Sequence, residues 1–435
     1  MQRFRGMRRS TSGIRRRVPA VILTAVLAMA SPLAAQDTGQ APRQPPTPPE
    51  SWSEPEGFLR EPMIIQRMVI FGDRHFANGE LTQGWYIDSF NMIPGAGWLS
   101  GGPGYRYWGA NDSIFANASA AISWRGYKTM QGRVEFPKLL RSRLLAGAQV
   151  RWFDYQQIAY FGEGPASFET DRSEYRLKAT DTVGYATFRP VKWLGIGAQA
   201  GLLKPSVGLP GGFFQGKEPP TQDLFSNDVA FTLPSQPSFF HTEASVTADT
   251  RDFPGHPTSG GMYRAAAANF SDRDGGLFSF RRYDVEGAQF LPFGDGRVVL
   301  ALHGWLVATD TDAGRFVPFY LQPSLGGHNS LRGFADYRFH DRNMLLVTAE
   351  TRIAMMRHVD AAVFVDAGEV AARVSDLNLN KRSYGFGLRL HSRRQTFARI
   401  DLARGSEGWR LVFNLSDPLN LARLTRRAAV APFVH

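Results

Sequence analysis

The sequence predicts an all-β protein: a closed antiparallel transmembrane β-barrel of about sixteen strands, with one long loop folded into its lumen. Three observations predict it. From residue 84 onward, apolar and polar residues alternate with a period of two in segments of about ten residues. The longest connections all follow odd-numbered segments, whereas short turns such as "PVK" and "GDG" follow even ones. No run of 18 or more apolar residues is present to form a membrane helix.

Residues 1–35 read as a signal peptide. Seven arginines (Arg3, Arg5, Arg8, Arg9, Arg15, Arg16 and Arg17) precede an apolar run from Val18 to Ala30, and "SPLAAQ" then offers a small-residue cleavage site after Ala35. Thirteen apolar residues are too few to span a bilayer as a helix, which argues against an N-terminal anchor. The consecutive arginines hint at twin-arginine export, but nothing around them completes such a signal. The net charge is +11, and subtracting these seven arginines leaves about +4, so the basic balance is mostly an export address and implies no nucleic-acid partner. With no cysteine, the exported chain has no disulfide framework and no thiolate metal site. Residues 36–61, "QDTGQAPRQPPTPPESWSEPEGFLRE", are polar and proline-rich and read as a periplasmic linker.

The barrel is assigned to residues 62–416. Its strands are expected at 84–93, 97–108, 113–125, 127–138 and 142–156, then at 173–189 and 192–206. They continue at 236–252, 259–272, 277–292 and 295–310, and end with 340–356, 360–373, 382–392, 396–404 and 407–415. In the fifth, Leu144, Ala146, Ala148, Val150 and Trp152 share one face against Gly147, Gln149 and Arg151. Tyr384, Phe386, Leu388 and Leu390 likewise oppose Gly385, Gly387, Arg389 and His391, and Trp409, Leu411, Phe413 and Leu415 oppose Arg410 and Asn414. A soluble sandwich would alternate in the same way. It has no reason, however, to sort its long connections (157–172, 207–235 and 311–339) to one side, as a barrel with outer loops and inner turns does.

In hydrocarbon every backbone donor and acceptor must be paired internally, so a spanning sheet must close on itself. Sixteen strands enclose a wide polar lumen, and a 29-residue connection at 311–339 is a candidate plug.

Within that loop, "GGHNSLRGF" surrounds Arg332, with Gly326, Gly327 and Gly333 expected to turn the backbone sharply and Phe334 to pack inside. In the following strand the apolar positions Leu345, Val347, Ala349 and Ile353 face out, so Glu350 faces the lumen; in the next, Asp366 does so for the same reason. A turn centred on His358 would set Glu350 directly opposite Asp366. Facing side chains lie ~5 Å apart, and at an effective dielectric of 20 their repulsion is about 3 kcal/mol. Arg332 is the obvious cation to bridge them, since a guanidinium carries five donors in a flat fork. The plainer alternative is a solvated loop arginine, with the two carboxylates flanking a channel.

"SLRGF", then "AETR", then "VFVDAGEV" resemble the BamA/TamA family of outer-membrane barrels, the bacterial surface antigen group. The match is to the family's loop motif (Leu331, Arg332, Gly333, Phe334) and its F-x-D-x-G strand motif (Phe364, Asp366, Gly368). "DTRDFPGHPTSGGMY" is similar to the family's periplasmic turn between the eighth and ninth strands, carried by Asp249, Arg251, Pro254, Pro257 and Gly260. The resemblance covers residues 84–416 and implies a lock in which the loop arginine bonds acids on the twelfth and thirteenth strands, here Glu350 and Asp366. It also implies insertion or translocation of client polypeptides or lipids at the outer membrane of a bacterial cell. Implied partners are outer-membrane lipids, including lipopolysaccharide, and separate periplasmic proteins. Two departures stand out. Residues 36–83 are too short and proline-rich for even one of the family's POTRA domains, which speaks against a complete assembly machine. The chain also runs past its last strand as a tail, 417–435, whose Arg423, Arg426 and Arg427 would keep it soluble or touch headgroups. A weak seam between first and last strands would suit the glycine of "NMIPGAGW" and the short final strand.

No enzyme chemistry is expected. A basic residue between two carboxylates argues for structure rather than glycoside hydrolysis, and no metalloprotease, nucleophile-elbow or phosphate-loop motif occurs. "GGPGYRYWGA" reads as a strand with small residues, His256 reads as polar filler, and no metal site or cofactor is implied. The alternatives are a passive pore or a purely structural barrel, and, less readily, a lipid-active barrel enzyme.

Overall fold

The computed structural model describes residues 57–75, 83–87, 100–212, 218–225, 236–393 and 395–415, together with 417, 419, 421 and 424. The signal segment, most of the linker, the "NMIPGAGW" glycine and the tail arginines Arg423, Arg426 and Arg427 lie outside the described residues.

A helix, α1 (Met63–His75), comes first, where the sequence reading placed the start of the barrel. The first strands are β1 (Gly84–Ile87), β2 (Ser100–Gly101), β3 (Pro103–Gly109), β4 (Ile114–Ser123), β5 (Lys128–Lys138) and β6 (Leu144–Tyr160). Next come β7 (Ser173–Val191), β8 (Leu194–Gly208), β9 (Phe239–Asp249), β10 (Gly260–Asp272), β11 (Phe280–Phe293) and β12 (Val298–Asp310). A small ribbon, β13 (Ser324–Leu325) with β14 (Phe339–His340), forms inside the long loop. The chain then makes β15 (Asn343–Met356), β16 (Val359–Ala371), β17 (Lys381–His391), β18 (Thr396–Gly405) and β19 (Gly408–Asn414).

Among the described residues all strands apart from that ribbon join one antiparallel sheet of seventeen, paired in chain order from β3 onward with β12 next to β15. Two expectations change here. The sheet has seventeen strands rather than sixteen, because the chain breaks at Gly102, where a Cβ would lie 1.9 Å from the Ala120 carbonyl, and both pieces pair with β4. Nor do the described residues by themselves close the ring: no register among them joins β19 to the first strands, and β1 covers only four residues, paired with β3.

The two faces of the sheet are inverted relative to a soluble protein. Along β16 and β17, Val363, Val365, Tyr384, Phe386 and Leu388 are all more than half exposed, while Asp366, Ser383 and Arg389 between them are buried. The pattern continues in β18 and β19, with Ile400, Trp409 and Leu411 outside and Arg399 and Asp401 inside. Water would penalise each such apolar side chain by about 1.5–3 kcal/mol relative to burial. The arrangement is stable only with an apolar solvent outside, which is the logic of a lipid-facing sheet.

The 311–342 connection lies against the buried face. Near its start, Val317, Phe319, Tyr320 and Leu321 pack with Tyr127 of the β4–β5 turn, Phe153 and Tyr160 of β6, Tyr175 of β7 and Phe270 of β10. Farther on, Leu325, Leu331, Phe334 and Phe339 pack with Trp305, Met344, Leu346 and Val370. Arg338 reaches both sides at once, bonding Ser167 in the β6–β7 connection and Glu407 in the β18–β19 turn. Elements far apart in sheet order therefore meet through this loop.

Candidate functional site: a buried ionic cluster

Strand periodicity sets the site. Glu350 and Arg352 sit two residues apart on the buried face of β15, Asp366 on that of β16, Arg389 on β17, and Arg399 and Asp401 on β18. The loop delivers Arg332 into their midst, 2% exposed. Arg332 Nε and Nη2 donate to the two Asp366 oxygens at 3.0 and 2.8 Å, and its backbone N–H donates to Oδ2 at 3.2 Å. Its Nη1 donates to Glu350 Oε2 at 2.7 Å. The guanidinium carbon stands 3.3 Å from the centre of the Phe364 ring, adding a cation–π contact. Burial alone would lower the Arg332 pKa, but Asp366 and Glu350 hold it above its ordinary value.

Each acid has further donors. Asp366 accepts from Thr348 Oγ1 at 3.1 Å and Ser383 Oγ at 2.9 Å. Glu350 accepts from Arg352 Nε at 3.0 Å and Arg389 Nη2 at 2.9 Å. Asp401 takes Arg389 Nη1 at 2.5 Å and Arg399 Nη1 at 3.0 Å, and Arg399 Nη2 returns to the loop at the His328 carbonyl, 2.5 Å away. Such charges stay buried only because each carboxylate is met by cationic donors.

One expected detail is corrected. Glu350 is not opposite Asp366; its partner is Phe364, and Asp366 faces Thr348. The turn pairs Met356 with Val359, one place off a centre on His358, and an irregularity between Ala354 and Met356 adds a second place, so the carboxylates are diagonal, and the phenyl ring with the guanidinium above it fills the gap. A second correction concerns the glycines. Gly326 and Gly327 have φ of 115° and 90°, but Gly333 has no positive φ. Its requirement is space: a Cβ there would lie 2.5 Å from the Gly405 nitrogen and 2.8 Å from Ser383 Cβ. Leu331 and Phe334 anchor the loop on either side in the apolar cluster, and Gly368 lies opposite Leu346. Periodicity had put Arg352 and Arg389 on this face without assigning either a role; Arg399 and Asp401 follow from the same period-two rule once the sheet order is known.

The β9–β10 turn is organised by its own acids. Asp249 holds Arg251 through two bonds of 2.8 Å, and Arg251 Nη1 donates to the Pro254 carbonyl at 3.1 Å. Asp252 accepts from the backbone of Phe253 and Thr258, bracketing Pro257, and the turn ends where β10 begins at Gly260, φ 83°. This fold presents His256 to Asp360 at 3.1 Å, and Asp360 also meets His391 at 3.1 Å. Burial, reinforced by His391, holds His256 down at about 4. His256, Asp360 and His391 are near enough to share an ion. Yet the imidazoles stack with centres 3.6 Å apart at 9°, each Nε2 aimed at its own carboxylate oxygen, a clamp geometry rather than convergence on one point.

The inverted faces and the buried ionic cluster define a β-sheet protein built to sit in lipid. Residues 228–405 match the Omp85 superfamily domain. Among solved structures it is similar to BamA from Haemophilus ducreyi lacking POTRA domains 1-3, with TM-score 0.58, 16% identity and coverage of 76% of this chain and 69% of that one. CdiB from Acinetobacter baumannii matches at TM-score 0.47, 13% identity and coverage of 76% and 58%; CdiB from Escherichia coli matches at 0.48, 13%, 76% and 61%. The first of these likenesses is one of fold. Comparison with curated proteins finds no match.

Proposed function

We propose that the chain forms a closed barrel in the bacterial outer membrane and inserts or translocates polypeptide or lipid clients there, with the 311–342 loop seated in the lumen. The observation that carries this reading is Arg332, buried between Glu350 and Asp366 from neighbouring strands. The cluster latches the loop and keeps the barrel in shape, while the short β19 and β1 form a seam that can part to pass a client into lipid. Lipids of the outer membrane, lipopolysaccharide among them, surround the barrel, and separate periplasmic proteins supply clients.

Single-channel recording in planar bilayers, run beside a client-insertion assay in the same membranes, tests this. The expected result is small, flickering current together with insertion of an unfolded barrel substrate. A large steady conductance without insertion would instead make the protein a passive pore, and hydrolysis of the surrounding lipid would make it an enzyme.

A further inference from the structure

The segment that precedes the sheet carries more exposed apolar surface than a water-facing helix can explain. Phe58, Leu59, Met63, Ile64, Met68, Ile70 and Phe71 are each 51–67% exposed, and Val69 is the one residue of this stretch buried below a tenth. On α1, Ile64, Ile65, Met68, Val69 and Phe71 fall on one side at helical spacing, whereas Gln66 and Arg67 fall on the other, together with Met63 and Ile70. The helix has 13 residues, about 20 Å at 1.5 Å per residue, which is too short to cross a bilayer.

The tether fixes where this surface sits. Phe58 and Leu59 donate backbone N–H bonds to Ala354 and Met355 at 3.3 and 2.8 Å, and Glu61 accepts from the His358 backbone and from Nδ1, both at 2.9 Å. The Phe58 ring lies 5.7 Å from the Arg297 guanidinium in the β11–β12 turn. All of these partners are at the short-turn end of the sheet, the end at which Phe293 and Leu388 stand exposed on the apolar outer face. Exposed Arg60 and Arg67 add positive charge beside the apolar side chains.

We propose that Phe58–Phe71 is a membrane-surface element: α1 lies in the interface of the inner, periplasmic leaflet, with Ile64, Met68 and Phe71 at the acyl boundary and Arg60 and Arg67 among phosphate headgroups. The inference rests on the outer-membrane reading above. A lipid surface is the occupant the observations favour because the apolar patch is tethered at an end of the sheet whose apolar outer face already requires lipid, and because arginines flank it.

The protein lacks cysteine, so single labels are clean. Full-length Met68→Cys, Gln66→Cys and Val365→Cys, each carrying an environment-sensitive fluorophore, are folded into phosphatidylcholine vesicles with and without phosphatidylglycerol. Quenching by lipid-borne spin labels and by aqueous iodide is then read. The expected result is lipid quenching at position 68 about threefold or more above that at 66, increased by the anionic lipid, with position 365 quenched in both membranes. Equal iodide access at 66 and 68 while 365 is lipid-quenched would overturn the proposal and leave the barrel standing. A label at 68 reached by neither quencher would assign the surface to another part of this chain or to a protein, and would also overturn it. Failure of lipid quenching at 365 would sink the barrel reading together with this one.

Discussion

Arg352 donates to Asp417 at 3.1 Å while its Nε holds Glu350, so the residue two places along β15 from the lock acid is tied to the chain beyond the last strand. Leu419 and Leu421 follow into a buried cluster with Met262, Phe290 and Val299. The tail, read from sequence as a soluble extension, thus covers part of the inner face of β10–β12. Asp417→Ala is expected to loosen the cluster modestly, by about 1–2 kcal/mol, since this carboxylate is 19% exposed and its partner keeps Glu350. Urea unfolding of the refolded protein in detergent measures it; a loss equal to that of an Arg332 variant would contradict this ranking.

Arg332→Ala leaves Glu350 and Asp366 short of their shared cation in a buried site. The expected cost is about 3–5 kcal/mol, read as less heat-modifiable, folded protein in the membrane. Arg332→Lys should recover under half of it, because an ammonium cannot fork between two acids. Full recovery by lysine would reduce the site to simple charge balance.

Phe364→Leu keeps an apolar side chain but removes the ring 3.3 Å from the guanidinium. A loss of about 1–2 kcal/mol is expected. In a double-mutant cycle with Arg332→Ala the two effects should be coupled, by about 0.5–1 kcal/mol or more. Strict additivity would show that the ring only fills space.

Gly333→Ala should prevent the loop from seating, since the added carbon meets the backbone of β18. Limited proteolysis would then cut within 326–338 at a rate at least about tenfold above wild type, with the sheet itself intact. Unchanged resistance would mean that the loop accommodates the methyl group by moving as a unit.

Asp341, next to the loop ribbon, is pushed up to about 6, chiefly by burial and further by Glu163, against the bond from the Arg342 backbone. Between an unfolded value of about 3.9 and that point, the folded state keeps a proton the unfolded state has released. Stability therefore falls as pH rises through this window and is greatest below it. Asp341→Asn should flatten that slope between pH 4 and about 6 in denaturation midpoints; an unchanged slope would assign it to other groups.

Much of this architecture was legible because a strand's period of two survives any tertiary context. Sorting Leu345, Val347 and Ile353 outward was enough to put Glu350 and Asp366 on one face. The register was not legible: a turn that pairs Met356 with Val359 and a one-residue irregularity beside it together move every pairing by two, and no local pattern announces them. Arg389, Arg399 and Asp401 were readable as inward-facing but not as partners, since the order of neighbours across the sheet is a long-range fact. The seating of Leu419 and Leu421 and the tether of Glu61 to His358 depend on contacts with distant sequence, which composition and periodicity do not encode.

Arg338 has a mechanical consequence. Held by Ser167 on one flank and Glu407 on the other, it acts as a cross-tie between strands that share no backbone pairing. Any spreading of the β18–β19 region away from the β6–β7 side would stretch this tie, so the loop braces two parts of the sheet that their own hydrogen bonds leave independent.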